Sequence, residues 1–160
     1  MQDQGITKIG NHNSFLAYCH VAHDCIIEDS VIMANSATLA GHVHVESHAI
    51  LGGLVGVHQF VRVGRFAMVA GLSGATLDIP PYTWAAGFRT KLYGLNLIGL
   101  KRHGFSPESI QRLKQAYRIL FKSGEVLEKA VKRIRNEVEP DPHVDHLIGF
   151  LNRSKRGFSR

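Results

Sequence analysis

At 160 residues, with 44% hydrophobic and 20% charged side chains, the chain is sized for one domain with a real core, or one domain plus an appendage. No run of eighteen apolar residues occurs, which excludes a membrane-spanning helix, and the opening MQDQGITKIG has neither the basic start nor the apolar stretch of a secretory signal. Two cysteines are too few for a disulfide framework and fit a reducing compartment. The formal charge of +6 is concentrated at one end: residues 1–88 carry 3 Lys/Arg against 6 Asp/Glu, and residues 89–160 carry 16 against 7. A basic half suits an acidic partner, whether nucleic acid, an anionic surface, a phosphorylated ligand or an acidic protein, and equally suits an ordinary Lys-rich helical surface.

From the N-terminus the dominant pattern is a period of six. Steps of six from Ile9 give Ile9, Phe15, Val21, Ile27, Met33, Leu39, Val45, Leu51, Val57, Val63 and Val69, all apolar. The slot four further on, from Asn13 through Cys19, Cys25, Val31 and Ala37 to Ser73, is nearly all small or aliphatic. A helix needs apolar residues every 3.6 positions, so a strict six predicts short strands joined by bends, with one large and one small inward slot. Three units close an eighteen-residue triangular coil, a pattern that resembles the left-handed parallel β-helix of the hexapeptide-repeat proteins. Cys19 and Cys25 fall on the small inward slot and read as buried core thiols. His12, His20, His23, His42, His44, His48 and His58 all avoid both inward slots. Folded at eighteen residues per coil, with coils about 4.8 Å apart, His20, His23 and Asp24 share a corner with Gly41 and His42 and, one coil on, His58 and Gln59. His12 and His48 fall on another side and read as solvent-facing.

The repeat ends near Gly74, so residues 1–73 are assigned to the β-helix and 74–91, containing GATLDIPPYTWAAGF, to an extended connecting loop in which Pro80-Pro81 suits the exit from a strand. Residues 92–160 are assigned to an α-helical domain. LYGLNLIGLKR (92–102) reads as a short helix. Ser106-Pro107 then caps a helix with the apolar face Ile110, Leu113, Ala116, Tyr117, Leu120 and Phe121, stopped at Gly124. Leu127, Ala130, Val131, Ile134 and Val138 mark the next helix, and Val144, Leu147, Ile148 and Leu151 the last, before the basic tail RSKRGFSR. The fold class is therefore mainly β: a left-handed parallel β-helix followed by a small helical bundle.

Three chemistries suit the histidine corner. A histidine next to a carboxylate can act as a general base for acyl transfer, with a backbone N–H at Gly41 for the oxyanion. Imidazoles from two coils can bind zinc with an open position for water. The corner can also be a polar contact between copies.

HVAHDC, ATLAGHV, LGGLVGVHQFVRVG and GLKRHGFSPESI resemble the acyl-ACP:UDP-N-acetylglucosamine O-acyltransferase family, from Gly10 to the terminal RSKRGFSR. That resemblance implies a cytoplasmic homotrimer with active sites between subunits, transferring a 3-hydroxyacyl group from acyl carrier protein to the 3-hydroxyl of UDP-N-acetylglucosamine, the first step of lipid A biosynthesis. It implies no cofactor and no metal, and neither nucleic acid nor a membrane span as partner. His23, in the second histidine position of HxxHD, takes the base role. Asp24 supports it and Gly41 matches the oxyanion donor. His20, His42, His58 and Gln59 match the substrate cleft, Gly71 with Met68 the acyl-chain ruler, and Asn96 and Arg102 the nucleotide-binding positions, where an arginine suits a diphosphate. The basic half gains the acidic carrier protein as partner. The family's second arginine is replaced by His103 and a family glutamate by Ile98, which alters uridine recognition in detail. Family members begin with further coils, so the chain reads as a C-terminal portion. Rival readings are the related N-acyltransferase acting on an amine, a zinc-dependent carbonic anhydrase on the same β-helix, and a non-catalytic trimerisation fragment.

Overall fold

A computed structural model describes residues 5–160, so the first four residues of the span assigned to the β-helix lie outside the described residues. Twelve two-residue strands form the solenoid: β1 (Lys8–Ile9), β2 (Ser14–Phe15), β3 (His20–Val21), β4 (Ile26–Ile27), β5 (Ile32–Met33), β6 (Thr38–Leu39), β7 (His44–Val45), β8 (Ile50–Leu51), β9 (Gly56–Val57), β10 (Arg62–Val63), β11 (Met68–Val69) and β12 (Gly74–Ala75). They line up as three parallel sheets, β1-β4-β7-β10, β2-β5-β8-β11 and β3-β6-β9-β12. The register is eighteen throughout, with Lys8 opposite Ile26, Ile26 opposite His44 and His44 opposite Arg62. Strands this short cannot stand alone, and each coil is stabilised because its strand backbone pairs with the coil beside it.

Between strands the chain turns through a residue with positive φ, at His12, Tyr18, Asp24, Ser30, Ser36, His42, His48, Leu54, Phe60, Phe66 and Leu72, all between 55° and 64°. None is glycine. An L-residue in this left-handed region costs on the order of 1 kcal/mol, which the inter-coil ladder offsets through bonds such as His42 N–H to the His23 carbonyl at 3.1 Å. These residues stack in columns at three corners: His12, Ser30, His48 and Phe66 at the first, Tyr18, Ser36, Leu54 and Leu72 at the second, and Asp24, His42 and Phe60 at the third.

The inward slots from Ile27 to Val69 and from Cys25 to Ala67 are almost wholly buried, while Ile9 and Phe15 of the first coil are 51% and 40% exposed. Cys25 is fully buried and its thiol points to the Ala40 carbonyl at 3.2 Å. Cys19, in a more open coil, is half-buried and directed at the carbonyls of Met33 and Ala34. Neither is paired.

Beyond the repeat the structure departs from the expected loop and first helix. β13 (Thr83–Ala86) continues the second sheet by pairing with β11, and β14 (Lys91–Leu95) returns antiparallel to it. Residues 92–95 are thus strand, not helix: Leu92 is buried, Tyr93 is exposed, and Gly94 has φ +144°, outside the helical region. The first helix, α1 (Leu97–Arg102), begins after Asn96. α2 (Pro107–Lys122) is capped by Ser106 and is followed by Gly124 at φ +75°. α3 (Leu127–Glu137) packs on it, and α4 (Pro142–Asn152) is capped by Asp141, whose carboxylate accepts from His143 N–H at 2.8 Å. The predicted apolar faces of these helices form a second core around Tyr82, Leu113, Leu147 and Phe150.

Two networks fasten this helical part to the solenoid. Buried Glu46 accepts from His146 at 2.8 Å and from the Arg65 amide at 2.9 Å, while Arg62 donates to the Phe150 carbonyl at 3.2 Å and lies 4.0 Å from that ring's centre. At the first corner, Phe66 stacks on His48 at 4.6 Å and meets His103 and Phe105 edge-on. His48 is therefore half-buried in an aromatic joint, not solvent-facing, whereas His12 is exposed. The basic tail is docked too: Ser159 N–H bonds the Asp78 carbonyl, and Asp78 N–H bonds that of Gly157.

Candidate active site

At the third corner the ladder superimposes His23-Asp24, Gly41-His42 and Gln59-Phe60. His23 Nδ1 lies 2.9 Å from Asp24 Oδ2. An ionised carboxylate can only accept, so Nδ1 carries the proton and Nε2 is left with its lone pair. Hydrogen bonding from His23, together with the nearby His42 charge, holds the Asp24 carboxyl below the ordinary aspartate range despite some desolvation. The His23 side chain is 72% exposed and that of Asp24 is 16% exposed, so the imidazole reaches outward while its carboxylate anchors it.

The ring lies over the neighbouring glycine. A Cβ built on Gly41 would stand 2.6 Å from His23 Cε1 and 2.7 Å from Nε2. No side chain fits there while His23 keeps this position. Three of the four matching turn amides at the first corner are satisfied by carboxylates: Asn11 by Asp29, Ser47 by Glu28 and Arg65 by Glu46. Among the described residues, the Gly41 amide has no such acceptor. An amide one coil away from His23 and with no protein acceptor is free to serve as an oxyanion donor.

His42 completes the corner. Its ring meets His23 edge-on at 5.0 Å and stacks on Phe60 at 4.5 Å with an interplanar angle of 9°. Phe60 was not singled out by sequence, although the same eighteen-residue register that joins Asp24 to His42 leads to it. One donor atom from each of His23, Asp24 and His42 lies within 4.8 Å of the others, so these residues could hold a metal ion.

From this corner a groove of about 1150 Å³ runs along the outer face of the first sheet, under the segment after α4. Asp24, His42 and Phe60 form one end, and His44, Arg62, Arg153, Lys155 and Arg156 line its length. Glu28 holds the His44 ring at 2.8 Å and accepts from Ser47 with its other oxygen. Sequence reading singled out Asp24 and His42 at the groove's end but none of the residues along its length, because the tail's return onto the solenoid leaves no local signal.

The other predicted positions are distributed around the molecule. His20 is exposed on β3, and exposed His58 and Gln59 sit at the end of the same side, with His58 Nδ1 3.2 Å from the Gln59 carbonyl. Met68 is on β11 and exposed Gly71 is at the second corner, where a Cβ would stand 3.0 Å from the Gly53 carbonyl oxygen. Asn96 is engaged structurally: its carbonyl caps α1 by accepting from Gly99 N–H, and its amide donates to the Phe66 carbonyl at 3.0 Å. Arg102 ends α1, exposed. His103, at the departure from the expected arginine, donates from Nδ1 to the Gly99 carbonyl at 2.9 Å, and Ile98 is exposed. Within one chain the third corner is brought together, while Met68, Gly71, Asn96 and Arg102 occupy other sides of the triangle.

Fold and corner define a hexapeptide-repeat β-solenoid carrying a histidine–aspartate pair over a glycine. A family model described as UDP-N-acetylglucosamine O-acyltransferase, domain 2, matches residues 78–159. Similar curated proteins include the acyl-[acyl-carrier-protein]–UDP-N-acetylglucosamine O-acyltransferases of Anaeromyxobacter sp. (strain K), 46% identical over 156 residues covering 98% of this chain and 61% of the relative, and of Thiobacillus denitrificans, 46% identical over the full 160 residues and 62% of the relative. Among solved structures, LpxA from Acinetobacter baumannii superposes with a TM-score of 0.95 at 41% identity, covering 99% of this chain and 62% of that one. The UDP-N-acetylglucosamine acyltransferase from Campylobacter jejuni gives 0.87 at 31%, covering 99% and 72%. The chain belongs to the UDP-N-acetylglucosamine O-acyltransferase family. It spans about 61% of the length of the curated relatives it matches.

Proposed function

We propose that the chain carries the base and oxyanion site of an enzyme that moves a 3-hydroxyacyl group from acyl carrier protein to the 3-hydroxyl of UDP-N-acetylglucosamine, in the cytoplasm, as the first step of lipid A biosynthesis. The observation that carries this reading is the His23–Asp24 pair lying over Gly41. His23 Nε2 takes the sugar hydroxyl proton as the oxygen attacks the thioester carbonyl. The tetrahedral oxyanion is held by the Gly41 amide, and its collapse expels the carrier thiol, which recovers the proton from the imidazolium. Asp24 fixes the tautomer and stabilises the charged ring. Base and oxyanion donor are each worth roughly 10²–10³ or more in rate, and no cofactor is required. Gly71 and Met68 set acyl length, Arg102 meets the diphosphate, and the basic groove and tail suit the acidic carrier protein.

The separation of Met68, Gly71 and Arg102 from the third corner supports sites shared between copies of a homotrimer. The test is transfer from 3-hydroxyacyl carrier protein to the nucleotide sugar, with assembly followed by light scattering. His23→Ala should lose at least about a hundredfold in rate with unchanged assembly. Transfer that survives this change, or none by the wild-type chain, overturns the reading.

A further inference from the structure

We propose that the third corner is also a binding site for a divalent transition-metal ion such as zinc or cobalt, and that the ion blocks acyl transfer by occupying the base. The donor set is two imidazoles and one carboxylate, His23, His42 and Asp24, with one atom from each already within 4.8 Å of the other two. Two imidazoles with a carboxylate form a known zinc set, which leaves one position for water. The borderline-soft imidazoles favour zinc, cobalt, nickel or copper over magnesium or calcium.

Three features make this more than proximity. The residues are mounted on a rigid ladder, where His42 N–H bonds the His23 carbonyl at 3.1 Å, so their backbones do not have to be ordered on binding. The stack on Phe60 at 4.5 Å clamps the His42 ring. Finally, His23 Nδ1 and Asp24 Oδ2 already stand 2.9 Å apart, so most of the adjustment falls on the gap to His42. Metal bonds of about 2.0–2.2 Å bring tetrahedral donors to about 3.3–3.6 Å from one another. The exposed His23 ring can make that shift by rotating its side chain.

The consequence for catalysis rests on the function proposed above. With Nδ1 bound to the metal, the neutral ring carries its proton on Nε2, which then has no lone pair to take the hydroxyl proton, and a ligated Asp24 no longer orients the ring. Metal and acceptor sugar therefore compete for the corner.

The test reads the ion directly. Metal-stripped, untagged chain is titrated with cobalt(II), following its visible ligand-field absorption, and with zinc by calorimetry. One ion per chain is expected, with cobalt bands of four- or five-coordinate geometry. Asp24→Asn and His42→Asn weaken binding at least about tenfold. Asparagine tolerates the positive φ of both positions, so the corner keeps its backbone. His12→Asn, at an exposed histidine of another corner, leaves binding unchanged. The absence of a saturable site up to about 1 mM, or full affinity in either corner variant, overturns the proposal. Zinc should also inhibit wild-type transfer reversibly on chelation, and uninhibited transfer with the ion bound would overturn the competition. Metal binding without any transfer would count against the acyltransferase reading alone, while transfer without metal binding would count against this one alone.

Discussion

In the proposed mechanism Gly41 carries two demands at once. Its amide must be open to a developing oxyanion, and its α-carbon must leave room for the His23 ring, since an added Cβ would stand 2.6 Å from Cε1. Gly41→Ala keeps the amide but pushes the base aside. A misplacement of about 1 Å can cost on the order of a hundredfold in rate, so this single methyl is expected to lower the transfer rate by about that factor while the melting temperature changes little. A variant as active as wild type would show that the ring need not sit there during reaction. His23, Asp24 and Gly41 were legible from sequence because the hexad assigns inward and outward positions and the eighteen-residue coil stacks them. Phe60 was not legible: a phenylalanine at a bend reads as incidental until the left-handed corner conformation stacks it on His42. Asn96, which the family resemblance matches to nucleotide binding, also has a structural task that sequence did not show: it caps α1 and donates to the Phe66 carbonyl.

At the scale of elements, the joint between solenoid and helical bundle is rich in imidazoles. Burial, with added repulsion from His103 and Arg65, lowers the His48 pKa below the ordinary 6.5, and burial also lowers that of His143. Groups whose folded pKa is depressed in this way resist protonation that the unfolded chain accepts. Stability is therefore expected to fall as pH drops through about 6.5 toward the lowered values. His143 has a specific reason to resist: Tyr82 is wholly buried, its pKa raised by that burial, and its hydroxyl donates to His143 Nδ1 at 3.2 Å, an acceptor that protonation removes. Glu46 behaves as a second, more acidic step. Burial would raise its carboxyl, but hydrogen bonds from His146 and the Arg65 amide outweigh that and hold it below 4.5, so its contribution is lost only in stronger acid. Melting temperature measured from above pH 7 down to about 5.5 should decline in the wild type and decline less in a His48→Asn/His143→Gln variant. An equal slope in both would place the sensitive groups elsewhere. The apolar stripes of α2 to α4 were readable because each is a regular 3.6-residue pattern with a capped start. Lys91–Leu95 was misread because Gly94 hides a two-residue alternation in which Leu92 faces in and Tyr93 out. The joint itself left no local signal, since His48, Phe66, Tyr82, His103 and His143 are brought together by the fold across nearly 100 residues.

For the whole molecule, the distribution of candidate residues over different corners makes a statement about assembly. If base and nucleotide-binding groups meet across subunits, chains defective in one can rescue chains defective in the other. Co-expressed His23→Ala and Arg102→Ala chains should form mixed assemblies that recover transfer, while each variant alone stays deficient. Failure to recover, in assemblies shown by mass to be mixed, would place both residues in a site built by one chain.

The eighteen-residue ladder imposes a reading frame on the chemistry. His23 meets Gly41, and Asp24 meets His42 and then Phe60, because every coil between them counts the same number of residues. A one-residue insertion in a solvent-facing bend between Asp24 and Gly41 would leave composition and charge nearly unchanged. It would also turn the base toward the wrong neighbour and move every later inward side chain out of phase. Insertions of a whole coil preserve the sheets but still part the two halves of the corner. The span from His23 to Gly41 therefore behaves as a fixed-length word, in which spacing matters to the proposed site as much as the identity of the residues at its ends.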